Sequence, residues 1–201
     1  MSEGKLFYTG KTINKEVAFV GENAFNLEAM YESGFFSATM ILLDSLLSPD
    51  YEKFPYTWLN DNAIYPILFN ARHAMEIFIK QKINELNKLK SASESSMKTH
   101  KLSKLWENLK ELANEINNDE INKIILELND YIYEFDRIDL TGETFRYAYS
   151  NKDEMHLKEI GQIDLKNFRE RFIKIMEICK WFDTVMFFLI EDAEQVHIQN
   201  I

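Results

Sequence analysis

The chain has 201 residues, of which 46% are apolar and 13% aromatic, enough to bury a core and too apolar for a disordered polymer. Its net charge of −10, from 33 acidic and 23 basic residues, excludes broad electrostatic coating of nucleic acid while leaving room for a local basic site. One cysteine, Cys179, excludes an intramolecular disulfide framework.

Residues 1–21 hold Gly4, Gly10 and Gly21 and read as a short N-terminal arm, either a hairpin or a strap across helices. The opening MSEGKLFYTGK lacks the apolar core of a signal peptide, and Trp181–Ile190 is too short to span a bilayer, so a cytoplasmic protein without membrane partners is expected. Asn23–Ser48 has helical periodicity, with Phe25, Leu27, Met30, Tyr31, Phe35, Ala38, Ile41, Leu42 and Leu46 expected inward and Gly34 a candidate kink. Ser48–Pro55 carries turn chemistry.

A second helix is expected from about Asn62 to Leu89, with Pro66 in its first turn. Ile64, Ile67, Leu68, Ala71, Met75, Phe78 and Ile79 recur at three- and four-residue steps. Within them Arg72, His73, Glu76 and Lys80 share one side of the helix. Such a stripe beside apolar surface is either a ladder of surface pairs or a site. His73, with an ordinary pKa near 6.5, is the natural proton carrier, or else a core histidine bonded to Glu76 or a loop carbonyl.

The polar run Ser91–Thr99 reads as a loop, with Thr99 a candidate cap for a third helix bearing Leu102, Leu105, Trp106, Leu109, Leu112, Ala113 and Ile116. Asn117–Glu120 caps a fourth, with Ile121, Ile124, Ile125, Leu128, Ile132 and Phe135 inward. Residues 135–162 then form a long irregular insert, ending in a possible extended piece at MHLKEIG. Asp164 caps a last helix with Phe168, Phe172, Ile175, Cys179, Phe182, Met186 and Leu189 on one face. The expectation is one all-α domain over 1–201, an antiparallel bundle of about five helices.

The insert supplies Asp136, Arg137 and Asp139, then Phe145, Arg146 and Tyr147. Basic groups among aromatics can grip a phosphate while rings stack on bases. Alternatively the rings plug the bundle and Arg146 pairs with Asp136, Asp139 or Glu76. His73-x-x-Glu76 has helical ligand spacing but no companion motif, and there is no Walker loop, GxGxxG or nucleophile elbow, so neither a metal nor a cofactor is expected.

Taken together, YP…F…ARHAMEIFIK, HKLSKLW (His100–Trp106) and DLTGETFRY (Asp139–Tyr147) before a long last helix resemble HEPN-like bacterial proteins over about Ile64–Phe188. The resemblance implies an α-helical, homodimeric protein of a prokaryotic RNA-targeting, toxin–antitoxin or anti-phage defence system. It implies RNA or nucleotide ligands, a protein partner encoded nearby and, in many members, metal-independent endoribonuclease activity. The family signature is an Arg followed four to six residues later by a His. Here Arg72 and His73 are adjacent and nine residues separate Arg146 from His156, which leaves open a catalytically silent binding module. If active, the catalytic set expected is Arg72, His73, Glu76 and Arg146, with Lys80, Asp139, Phe145 and Tyr147 binding substrate.

Overall fold

The structure is a computed structural model that describes residues 27–49, 59–90 and 98–199. The expected arm at 1–21, Phe25, most of the Ser48–Pro55 turn and most of the Ser91–Thr99 loop lie outside these residues. Five helices follow in order: α1 Leu27–Leu47, α2 Leu59–Leu89, α3 Leu102–Ile116, α4 Asp119–Ile138 and α5 Leu165–Gln199. Each helix packs on its successor, and α5 closes back onto α1 and α2. None is long and apolar enough to cross a membrane.

The apolar rows predicted for α2 to α5 form the core. Met75, Phe78, Ile79, Leu105, Trp106, Leu128, Ile132, Phe172 and Phe182 belong to one buried cluster, and Leu43, Leu46 and Ile67 to a second. Burial of each such side chain is worth about 1.5–3 kcal/mol, which is why the periodic rows decide how the helices face. The α4 cap is as read: the Asn118 side chain accepts the Ile121 N–H at 3.1 Å. Asp164 does the same for α5, taking the Asn167 N–H at 2.9 Å.

Several expectations need correction. α1 turns a largely different face inward: Leu46 is buried as expected, but so are Glu32, Phe36, Thr39 and Leu43, whereas Met30, Tyr31 and Ile41 are exposed. Apolar residues occupy nearly every side of this helix, so periodicity does not choose between adjacent rows. The helix also runs unbroken through Gly34, whose Cβ position faces open space. α2 begins at Leu59, which places Pro66 inside the helix beyond its first turn. The missing proline N–H forfeits one bond to the Asn62 carbonyl, and the remaining ladder carries the helix past it.

Thr99 does not cap α3. Its hydroxyl accepts the Lys101 N–H at 3.2 Å, and the N-cap position is Lys101, which has no side-chain cap bond. Instead Asp136 of α4 reaches across and accepts the Ser103 N–H at 3.0 Å. The insert starts at Asp139 rather than Phe135, because α4 continues to Ile138. Its non-helical run to Asp164 is made of turns, with one isolated antiparallel bridge between Tyr149 and Met155 in place of an extended MHLKEIG segment.

Candidate functional site

α2 presents Arg72 on its buried side, and the chain returns two loops to it. The guanidinium Nη1 donates to Glu76 Oε2 at 3.0 Å, one turn along the same helix. Nη2 donates to the main-chain carbonyl of His100, at the entry to α3. Nε donates to the carbonyl of Asp139, just after α4, at 3.3 Å. The Asp139 carboxylate completes the cage: Oδ2 lies 3.2 Å from Nε as a charge contact without a directed bond, while Oδ1 accepts the Thr144 N–H at 3.0 Å.

The insert can come this close because Gly142 sits on the guanidinium. A Cβ there would lie 3.4 Å from Arg72, and its φ of +80° is a conformation side chains disfavour. Arg72 and Asp139 are 3% and 0% exposed, so their charges are spent on the protein interior and not offered to a ligand.

Glu76 is the hinge of the arrangement. Its Oε1 accepts from Lys80 Nζ at 2.7 Å and contacts His100 Nδ1 at 2.8 Å. Burial pushes the Glu76 carboxyl up, but hydrogen bonds from Lys80, His100 and Arg72 together outweigh it and hold its pKa below the usual carboxylate value. An ionised carboxylate only accepts, so Nδ1 of His100 carries the proton and the other ring nitrogen, Nε2, is left for solvent or substrate. The His100 side chain is 72% exposed. A carboxylate-oriented, solvent-facing imidazole of this kind can take and return a proton.

His73 points elsewhere. Its ring packs edge-on to Phe35 at 4.5 Å and stacks on Phe69 at 5.6 Å, and burial among these groups lowers its pKa from the ordinary value. It is therefore a packed, neutral ring and not the Glu76-bonded histidine that helical spacing offered. Arg146 is exposed, with its guanidinium over the rings of Tyr147, 5.5 Å away, and Phe69, 6.0 Å away. It forms none of the expected pairs with Asp136, Asp139 or Glu76; its Nε donates to the Gly142 carbonyl at 2.8 Å.

The eight sequence-predicted residues thus divide by location. Arg72, Glu76 and Asp139 make a buried ionic cage. Lys80, Arg146 and Tyr147 stand at or near its surface, with His73 linked to Arg146 through Phe69. Phe145 is 5% exposed and turns away from this rim into a cleft between α4, α5 and the insert. His100 was not among the predicted site residues. Its position immediately before an unambiguous helix was the available signal, since residues at helix entries remain accessible at an end of the bundle.

Elsewhere, Lys82 of α2 lies buried with its Nζ 2.7 Å from Glu85 and 2.5 Å from Asp183 of α5. Nearby Glu32 of α1 has its carboxyl pKa pushed up to about 7, by burial first and by Asp183 next. Cys179 is buried, and burial raises its thiol pKa well above the ordinary value, leaving an inert side chain as its helical position implied. Among the described residues no group of three or more His, Cys, Asp or Glu side chains is arranged to hold a metal ion.

No family model, curated protein or solved structure matches the chain.

Proposed function

We propose that the chain is a HEPN-like protein that acts on RNA in a prokaryotic RNA-targeting, toxin–antitoxin or anti-phage setting. Its RNA-contacting face is the rim formed by Lys80, His100, Arg146 and Tyr147. The observation that carries this reading is the Glu76–His100 contact: a buried carboxylate engages Nδ1 of an exposed imidazole. Arg146, held by the Gly142 carbonyl, offers an exposed cation already flanked by aromatic rings, the combination that holds phosphate and base together.

In this reading His100 replaces His73 as proton carrier. Nε2 removes the proton of a ribose 2′-OH, and the 2′-oxygen attacks the adjacent phosphorus. The bond to the 5′-oxygen breaks, that oxygen takes a proton from the resulting imidazolium, and a 2′,3′-cyclic phosphate remains. Arg146 opposes the negative charge that grows on the phosphoryl oxygens. Arg72 acts only through the loops it holds. A homodimer belongs to this proposal, with the exposed Trp181, Phe187 and Phe188 of α5 as the surface for the second copy.

A catalytically silent module is the second reading, favoured by the absence of the family's Arg–His spacing and by the complete use of Arg72 inside the protein. One experiment separates them: total RNA incubated with purified protein in EDTA, for wild type, His100→Ala, Arg146→Ala and His73→Phe. Cleavage lowered about 10²–10⁴-fold by His100→Ala and retained by His73→Phe is the expected result. Cleavage indifferent to both His100→Ala and Arg146→Ala refutes the rim. RNA binding without cleavage, lost in Arg146→Ala, establishes the silent module.

A further inference from the structure

A cleft of about 360 Å³ runs between α1 and α5 and, among the described residues, shares no lining residue with the rim. Small-molecule sites commonly enclose roughly 300–1,000 Å³, so this one has room for a single small ligand. The two helices are antiparallel here, because Arg169 Nε at the start of α5 donates to Asp44 Oδ1 near the end of α1 at 2.6 Å. Asp183 of α5 therefore comes beside Glu32 at one end of the cleft, and Ile173 beside Met40 at the other. The eight residues from Glu32 to Met40 make the cleft roughly 12 Å long. Its ends differ in chemistry: carboxylates stand at the first, and the half-buried side chains of Met40, Ile173 and Met176 present apolar surface at the second.

Glu32 is the unexplained group. It is 9% exposed, it lines the cleft, and its carboxyl forms no hydrogen bond or ion pair with a described residue. Lys82, the cation whose field reaches it, is already held by Glu85 at 2.7 Å and Asp183 at 2.5 Å. A buried carboxyl without a partner is costly, and a charged donor placed in the cleft would satisfy it. The surroundings favour a cation. Glu32 faces Asp183 of α5 and Glu85 of α2, with Glu177 further along the cleft, against the ammonium groups of Lys82 and the exposed Lys180.

We propose that this cleft binds a small amphipathic amine, whose ammonium donates to Glu32 and Asp183 while its hydrocarbon body lies against Met40, Ile173 and Met176. The two methionines suit alkyl chains of varied shape, since an unbranched thioether repacks easily. Binding is coupled to a proton. Burial first and Asp183 next push the Glu32 pKa up to about 7, whereas an alkylammonium keeps its proton well above that. The ammonium therefore displaces a proton from Glu32, and affinity rises as the solution is made more alkaline.

Isothermal titration of the whole protein with hexylamine tests the site, with 1-hexanol and hexanoate as its neutral and anionic counterparts. Hexylamine should bind about tenfold or more tightly at pH 8 than at pH 5.5, and at pH 7 the heat should vary with the ionisation enthalpy of the buffer as a proton is released. Glu32→Gln keeps the shape of the side chain and should weaken binding at pH 8 about tenfold, the value of one charge-assisted hydrogen bond, and abolish the pH dependence. Ser37→Phe, at the exposed lip, should obstruct the apolar half and weaken binding without altering thermal unfolding. Lys180→Ala removes a competing cation and should bind equally or more tightly. The proposal is overturned if hexylamine does not bind, if hexanol or hexanoate binds as well, if Glu32→Gln keeps wild-type affinity at pH 8, if Ser37→Phe has no effect, or if Lys180→Ala weakens binding.

Discussion

Arg72 and Asp139 are 67 residues apart in sequence and meet in the interior, where the guanidinium Nε lies 3.3 Å from the Asp139 carbonyl and 3.2 Å from its carboxylate. The pair fixes where α4 ends and where the insert begins. Removing one member of such a buried pair strands the other charge, so Arg72→Ala should cost about 3–5 kcal/mol, read by denaturant unfolding. Arg72→Lys should recover only part of that loss, because an ammonium cannot match the planar fork that reaches Glu76, His100 and Asp139 together. A full recovery by lysine would mean that charge alone holds the loops.

Gly142→Ala should destabilise the protein by about 1–2 kcal/mol. Two causes act together, the φ of +80° and the 3.4 Å approach of the new Cβ to the Arg72 guanidinium. Gly34→Ala is the matched control. It sits inside α1 with nothing near its Cβ position, and the helix propensity of alanine should make it neutral or stabilising by up to about 1 kcal/mol.

Glu32 makes stability depend on pH near neutrality. Its folded pKa of about 7 lies above the ordinary 4.5, so between these values the folded chain holds the extra proton. Its contribution is fully present below pH 4.5 and is lost as pH rises through 7. Glu32→Gln should therefore add on the order of 2–3 kcal/mol at pH 8 and little at pH 4, measured by thermal unfolding across the range. An equal effect at both ends would exclude Glu32 as the titrating group.

His73 should titrate below 6.5, followed by its ring-proton NMR signals, because burial against Phe35 and Phe69 disfavours its charged form. The sign is the opposite of that for Glu32. Stability from neutral His73 is present above 6.5 and falls as the solution is acidified toward the folded pKa. A midpoint at or above 6.5 would place the ring in water and restore it as a candidate for the rim.

The helices of this protein are legible where a single apolar row is surrounded by polar residues, as in α3 and α4. They are ambiguous in α1, where Met30, Tyr31 and Ile41 compete with Phe36, Leu43 and Leu46 for the interior. A charged residue at a core position, Glu32, further obscures the row, since its partner charges Lys82 and Asp183 lie on other helices. The stripe on α2 shows a similar limit. Helical spacing puts Arg72, His73, Glu76 and Lys80 on one side, yet it does not say that Arg72 goes inward while His73 meets Phe35. Nor does it bring His100 to Glu76, a contact 24 residues long in sequence that exists only once α3 has docked.

The carboxylate of Asp136 on the first turn of α3 ties the two helices into one thermodynamic unit. With no side-chain cap of its own, α3 leaves amide donors open at its start until α4 is in place. A peptide of α3 alone should fray at Leu102–Leu105, and the Ser103 amide should exchange with solvent at the rate set by opening of the α3–α4 pair rather than of α3. His100 stands just upstream of that turn, so its placement against Glu76 depends on the docking of α4 as well as of α3.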